Sequence, residues 1–392
     1  MPYLTPYDTG GPLQDLISFR RDLHQHPELG FAETRTSRVI RERLGASGLV
    51  VRALAGTGLI ATLQGDKPGP TILVRAELDA LPIQEISSVA YRSTSPGVMH
   101  ACGHDAHCAI ATLVARRLAE ERESLRGTIK FAFQPSEEIA EGAERMIADG
   151  ALENPRVDAA VALHVWQPMP VGIVGVSGGP IWAAVDELSF VVRGALGHGA
   201  MPNQGIDAIV AAAQIVTALQ TVITRTRPPL DPAVLSIGSI QGGTAWNIIA
   251  DRVEMHGTLR TFDPHVRDLL LGQIHRVARG VAESLGASCE VEDRYSAPAV
   301  VNDPELAALV RNSVIPIMGE DNVVPSQLSL VGDDFAHFIQ QIPGCLFHVG
   351  SSNAAKGLDH GHHDSTFDID ESCLPIGAAS LEAVIRGLLA QS

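Results

Sequence analysis

The chain has 392 residues and a formal net charge of -16, so nucleic acid and anionic membrane surfaces are poor partners. The length suits two domains, each with its own core. A composition that is 45% hydrophobic but only 4% aromatic suits an aliphatic α/β protein. Five cysteines, at 102, 108, 289, 345 and 373, form an odd set without framework spacing, so they read as thiols in a reducing cytoplasm. No apolar run approaches membrane-spanning length, and the opening MPYLTPYDTGGP has neither a basic nor an apolar leader region; a cytoplasmic protein is expected.

In chain order, an amphipathic helix is expected over 13–23, closed by the proline of Arg20-Arg21-Asp22-Leu23-His24-Gln25-His26-Pro27, and a second over 33–44, stopped by Gly45. Strands over 59–63 and 71–76 follow. The second is apolar nearly throughout, as a strand buried on both faces is. It runs into Glu77-Leu78-Asp79-Ala80-Leu81-Pro82, which sets two carboxylates at a strand's C-terminal end, the edge where open α/β sheets bind ligands.

Residues 98–108 hold three histidines, two cysteines and an aspartate. Cys102 and His104 are two apart, so in an extended or tightly turned segment both can face one point. A thiolate with an imidazole suits a borderline-soft divalent ion such as zinc. The pattern then turns helical and apolar to about Glu123, with Asp105 placed to cap the new helix. A strand over 128–133 ends in Gln134-Pro135-Ser136-Glu137-Glu138, and an apolar run over 159–163 ends in His164. Strand after strand finishes on a polar, metal-competent residue.

From about Val185 the style changes to strand (187–192), helix (205–224), strands (233–240 and 251–259), helix (263–285) and strand (287–292). That βαββαβ order is the ferredoxin-like split-βαβ unit. A helix near 304–314, a strand over 345–349 and a last helix from about Glu371 restore the opening style. The expected architecture is a mixed-sheet α/β catalytic domain over 1–184 and 295–392, with a ferredoxin-like domain inserted at 185–294.

Adjacent carboxylates at a strand end point different ways, so of Glu137 and Glu138 one can ligate an ion while the other faces a water as general base. An isolated Glu-Glu is more often a solvated pair, and His164 alone a satisfied core histidine. His360, His362 and His363 add a third cluster. Taken together, these residues offer the donors of a one- or two-metal hydrolase.

In order along the chain, several segments resemble the motifs of the M20 metallopeptidase/amidohydrolase family. They are Arg20 to Leu29, Arg75 to Pro82, Met99-His100-Ala101-Cys102-Gly103-His104-Asp105, Gln134 to Glu138 and His363-Asp364-Ser365-Thr366-Phe367-Asp368. The branch is that of aminoacylase-like, hippurate-hydrolase-like and auxin-conjugate hydrolases. The resemblance implies metal ligands at Cys102, His104, Glu138, His164 and His363, with Cys102 bridging two ions where two are bound. His363 is chosen over His362 because the family's ligand stands four residues before the Phe, here Phe367. Glu137 becomes the base and then the acid for the leaving nitrogen, and Asp79 orients a ligand histidine. Gly197-His198-Gly199-Ala200-Met201-Pro202 is similar to the segment whose histidine assists the carbonyl oxygen, in relatives across a dimer. Asn247 and Arg260 fall on segments that hold the substrate carboxylate. The inserted domain then becomes a lid and dimerisation domain. Two segments depart from the family pattern: Glu77 stands where Asp is common, and Gly332-Asp333-Asp334-Phe335 where Ser-Glu-Asp-Phe is common.

The expected function is metal-dependent hydrolysis of an N-acyl amino acid, hippurate-like or otherwise, to a carboxylic acid and an amino acid. The cofactor is one or two divalent ions per subunit, zinc, manganese, cobalt or nickel, and the assembly a homodimer or higher homo-oligomer. The alternatives are a metallocarboxypeptidase or dipeptidase, an N-acetyl amino acid deacetylase, or a non-catalytic metal- or ligand-binding relative. A redox sensor on Cys102 and Cys108 is disfavoured by their six-residue spacing.

Overall fold

The computed structural model describes Tyr7 and residues 9–391. The reading that the opening residues carry no leader rests mainly on residues 1–6 and Asp8, which lie outside those described. The chain divides into two contact units: Met1–Ile181, Val300–Gln327 and Asp333–Ser392 form the first, Trp182–Ala299 and Leu328–Gly332 the second. The breaks fall a few residues outside the expected 185–294. The segment Leu328–Gly332 joins the second unit because Trp182 bridges Ser329 and the Ala183 N–H donates to Val331 O at 2.8 Å.

Eight strands of the first unit form one mixed sheet, in the order Val50–Leu54, Gly58–Gln64, Arg126–Gln134, Lys67–Glu77, Ala159–Pro170, Gly344–Ser352, Val174–Gly175 and Val323–Val324. The four from Arg126–Gln134 to Gly344–Ser352 run parallel, so their C-terminal ends share one edge. Parallel strands of this kind need cover on both faces. Every residue from Thr71 to Glu77 is buried. Helices His104–Glu120 and Cys373–Leu389 pack into the same core and are buried on most of their circumference.

Three expectations need correction. The strand expected to end in His164 continues to Pro170, because Val165 and Trp166 stay in register with Val349 and Gly350 of the neighbouring strand. His164 is therefore interior to its strand, paired with His348. Asp105 does not cap its helix: the N-cap is Gly103, and no side chain caps there. Instead Asp105 receives the Arg20 guanidinium at 2.8 Å and faces His24 Nδ1 at 2.9 Å. Arg20, wholly buried on helix Gly10–Gln25, also donates to Asp368 at 2.8 Å. Burial opposes its charge, but Asp105 and Asp368 keep it firmly protonated. Third, helix Ala208–Arg225 has a mean hydropathy of 1.4 over 18 residues, long and apolar enough to cross a membrane by those measures. It serves here as a packing helix, burying Ala208, Ala211, Ala212, Ile215, Leu219 and Val222 in the core of the second unit.

The second unit has the βαββαβ order: Ala184–Arg193, Ala208–Arg225, Ala233–Gly242, Arg252–Thr261, Pro264–Ser284 and Ser288–Ala297. Its antiparallel sheet runs Ala233–Gly242, Arg252–Thr261, Ala184–Arg193, Ser288–Ala297. Both helices start on aspartates, Asp207 and Asp263, whose carboxylates accept the first free backbone N–H groups.

Candidate metal centre

The parallel edge of the first unit gathers the donors. Strand Lys67–Glu77 leads into Leu78, whose N–H donates to Gln134 O at 2.8 Å, and then into buried Asp79. Cys102 and His104 flank Gly103, which has φ +93°; a Cβ there would lie 2.3 Å from Val165 Cγ2. Only glycine turns the chain into the helix this close to the neighbouring strand. His104 donates from Nδ1 to Asp79 O at 2.9 Å, which turns its Nε2 lone pair toward the acidic residues. From Nε2, Glu137 Oε2 and Glu138 Oε1 are each 3.8 Å away. Asp79 also accepts the Glu138 N–H at 3.0 Å, so one residue supports a candidate ligand on either side of it.

Donor atoms of Cys102, His104 and Glu138 all lie within 4.8 Å of one another. His164 Nε2 is 3.7 Å from Cys102 Sγ, and His363 Nε2 is 3.5 Å from Glu138 Oε2. Donors around one tetrahedral ion, at about 2.0–2.3 Å from it, stand about 3.3–3.8 Å apart. Two of these atoms, His104 Nε2 and Glu138 Oε1, are buried with no hydrogen-bond partner. Leaving such a group unpaired costs about 1–3 kcal/mol, a cost that a divalent ion would remove. The residues therefore fit the metal, with sulfur, nitrogen and oxygen donors suited to a borderline ion.

The electrostatics agree. Burial, reinforced by the Glu138 charge, pushes the Cys102 thiol far above its ordinary value. Burial also pushes Glu138 up to about 7. Burial works against protonation of His104, yet the neighbouring Asp79, Cys102 and Glu77 leave its pKa well raised. In the absence of an ion the cluster holds protons that a cation would displace. Glu137 is raised strongly by burial and by the Asp333, Glu138 and Asp334 charges, which suits a group that takes and returns a proton.

All five expected ligands thus come together, and Glu137 and Asp79 with them. His362 turns elsewhere: it accepts the Gln167 N–H at Nε2 (3.1 Å) and stacks on Trp166, while His360 is exposed. His198, Asn247 and Arg260 belong to the second unit. The first two are neighbours there, since Gly199 N–H donates to Asn247 O at 2.8 Å and His198 pairs with Ile248. Arg260 is on strand Arg252–Thr261, bonded to Thr258 Oγ1 at 3.1 Å.

Other residues were not singled out by their sequence. His107, one turn after His104, donates to Glu77 Oε2 at 2.8 Å and accepts the Val165 N–H at 2.9 Å, so neither ring nitrogen is free for an ion. Its helical spacing from His104 was the available signal. Arg75 is buried and donates to Gln134, Glu77, Asp333 and Asp334. Glu77 is thus engaged by Arg75 and His107, although its carboxylate lies within 4.8 Å of ring nitrogens of His104 and His164. Burial would raise its pKa, but Arg75 and His107 hold it well below the carboxylate range. Residues this far apart in the chain carry no local sign of their meeting.

Residues 73–387 match the family described as peptidase family M20/M25/M40. The chain is 38% identical over 362 residues to N-acetyl-L-cysteine deacetylase of Bacillus subtilis, covering 92% of this chain and 85% of that protein. It is also 38% identical over 371 residues to thermostable carboxypeptidase 2 of Saccharolobus solfataricus, covering 93% and 92%. Among solved structures it resembles a dinuclear metal-binding M20 peptidase of Bacillus subtilis, with TM-score 0.83, 35% identity and 97% and 99% coverage.

Proposed function

Because the chain belongs to peptidase family M20/M25/M40 and is a metal-dependent hydrolase of amides, we propose that it cleaves N-acyl amino acids to a carboxylic acid and a free amino acid. The observation that carries this reading is the division of labour between two adjacent carboxylates. Both lie 3.8 Å from His104 Nε2, but Glu138 joins the Cys102–His104 donor cluster while Glu137 groups with Asp333 and Asp334. A divalent ion held by Cys102, His104, Glu138, His164 and His363 would polarise the scissile carbonyl and acidify a water. Glu137 then takes the proton of the attacking water and returns it to the leaving nitrogen. Asp79 keeps His104 in the tautomer that offers Nε2.

His198 is assigned to the carbonyl oxygen. Its Nδ1 accepts the Ala200 N–H at 3.0 Å, so the ring proton sits on Nε2, available for donation. Arg260 and Asn247 are assigned to the substrate carboxylate. Arg260 has no carboxylate in ion-pair contact among the described residues, and burial lowers its pKa, so an anionic ligand would relieve it. Five unpaired cysteines fit a reducing compartment, and a cytoplasmic homodimer is part of the proposal.

The test is hydrolysis of hippurate, N-acetyl- and indoleacetyl-amino acids beside dipeptides, by protein stripped with chelator and reloaded with Zn²⁺, Mn²⁺, Co²⁺ or Ni²⁺. Metal-restored release of amino acid from the acyl substrates is expected. Preference for dipeptides would make the protein a carboxypeptidase-like relative instead, in line with its other similarity. Silence on every amide, with metal bound, would overturn the reading.

A further inference from the structure

Ser136, immediately before the paired carboxylates, has φ +55°, in the left-handed region that side chains other than glycine seldom adopt. Its N–H donates to Glu33 Oε1 at 2.9 Å. Glu33 has no solvent exposure, and its other oxygen accepts Thr57 Oγ1–H at 2.5 Å. The carboxylate thus ties the turn before strand Gly58–Gln64 to the turn after strand Arg126–Gln134. It is itself anchored where helix Thr34–Ala46 begins, as the residue whose C=O accepts the Ser37 N–H at 3.0 Å.

The segment carrying Glu33 is fitted closely to Ser136. A Cβ on Gly30 would lie 2.6 Å from Ser136 Oγ and 3.1 Å from its Cα. The preceding residues are held as firmly: Glu28 accepts the Arg35 and Thr36 N–H groups, and Leu29 bridges Ala80 beside Asp79. Beyond Ser136 the turn closes through Ala140 N–H to Glu137 O at 2.7 Å. From this turn Glu138 reaches toward His363 and His104, while Glu137 lies with Asp333 and Asp334.

We propose that Glu33 is a positioning residue for the candidate metal centre: it holds Ser136 in the left-handed conformation from which Glu137 and Glu138 diverge. The inference rests on the reading of Glu138 as ligand and Glu137 as base. Without the Glu33 carboxylate the Ser136 amide has no other acceptor among the described residues, and its turn keeps only the Glu141 and Gly142 N–H groups on Ser136 O, both at 3.3 Å.

The test compares Glu33→Gln, Glu33→Asp and Glu33→Ala with wild type for Zn²⁺ affinity, read by competition with a chromogenic chelator, and for kcat and KM. Gln keeps a carbonyl within reach of the Ser136 N–H. Asp is too short by one methylene to hold Thr57 and Ser136 together. Loss of a residue supporting a metal ligand costs about 10–100-fold in metal affinity or activity, and that loss is expected for Ala. Gln is expected within about threefold of wild type, Asp between the two, and KM nearly constant. Wild-type zinc affinity in a folded Glu33→Ala protein overturns the proposal. Where that variant does not fold, equal affinities in the Gln and Asp variants overturn it. A wild type that binds zinc but hydrolyses no N-acyl amino acid overturns the substrate reading alone, since the comparison of zinc affinities needs no substrate.

Discussion

Glu77 and Asp333 meet on one nitrogen: Nη1 of Arg75 donates to Glu77 Oε1 and, at 3.0 Å, to Asp333 Oδ2. Both lie in segments that resemble M20 motifs, where the resemblance implies Asp in place of Glu77 and Glu in place of Asp333. One carboxylate is longer by a methylene, the other shorter, and both close on the same buried guanidinium. Glu77→Asp and Asp333→Glu should therefore each destabilise the protein, while the double variant recovers much of the loss. A coupling of about 0.5–3 kcal/mol is expected from residues sharing one partner. Urea unfolding of the four proteins measures it, and strictly additive changes would show that the two lengths do not compensate.

Glu137→Gln should separate the base from the ligands. Metal uptake stays near wild type, while kcat falls by about 10²–10⁴, the usual contribution of a positioned general base. Glu138→Gln should instead lose metal, because its Oε1 is one of the buried atoms with no other partner. Retention of a tenth or more of wild-type turnover by Glu137→Gln would remove the base assignment.

Metal binding and pH are linked through Glu138. Its pKa in the folded, metal-free protein is about 7, above the ordinary value for glutamate of about 4.3. A group raised on folding contributes stability below its unfolded pKa and loses that contribution as pH rises through the folded value. Between about pH 4.3 and 7 the metal-free protein should therefore lose stability, while metal affinity climbs as the same proton leaves. Thermal unfolding with and without chelator, at pH 5.5 and pH 8, gives the comparison. Chelation should lower Tm far more at pH 8.

Gly103→Ala tests the turn that presents Cys102 and His104. The left-handed φ costs about 1–2 kcal/mol with a side chain present, and the clash with Val165 adds about 1–3 kcal/mol. Loss of both stability and metal affinity is expected, measured by denaturant unfolding and chelator competition. A stable variant with unchanged metal affinity would show that Val165 yields without moving His104.

Arg260→Gln should raise KM by at least about tenfold for substrates with a free carboxylate and leave kcat nearly unchanged, the signature of binding shared by ground and transition states. Against the corresponding amino-acid amides the variant and the wild type should behave alike. Equal losses on both substrate types would assign Arg260 to the structure of its own strand.

The candidate metal donors are legible because each lies in a short run whose chemistry is dense, and because four parallel strands deliver their ends to one edge. Cys102 and His104 need only a turn between them, and Glu137 and Glu138 only adjacency. His164 was legible as a donor but misplaced as a strand end, since a polar residue in an apolar run looks like a boundary while its backbone pairing continues. Asp105 looked like a cap for the same local reason, whereas a buried arginine eighty-five residues earlier claims it. Glu33, His107 and the Arg75 cluster act through partners brought from distant segments. Their roles depend on tertiary contacts, which local patterning does not encode.

Arg20 joins the first described helix to Asp105 and to Asp368, close to the C-terminal helix. His363, the last of the candidate ligands, comes from the same late stretch. Synthesis runs from the N-terminus, so the ribosome releases Arg20, Cys102, His104 and Glu138 long before their final partners exist. A nascent chain lacking residues 363–368 would hold an arginine short of one counter-charge and a donor cluster open on one side. The centre is therefore complete only once residues 363–368 have been made, although Asp105 already pairs the buried Arg20.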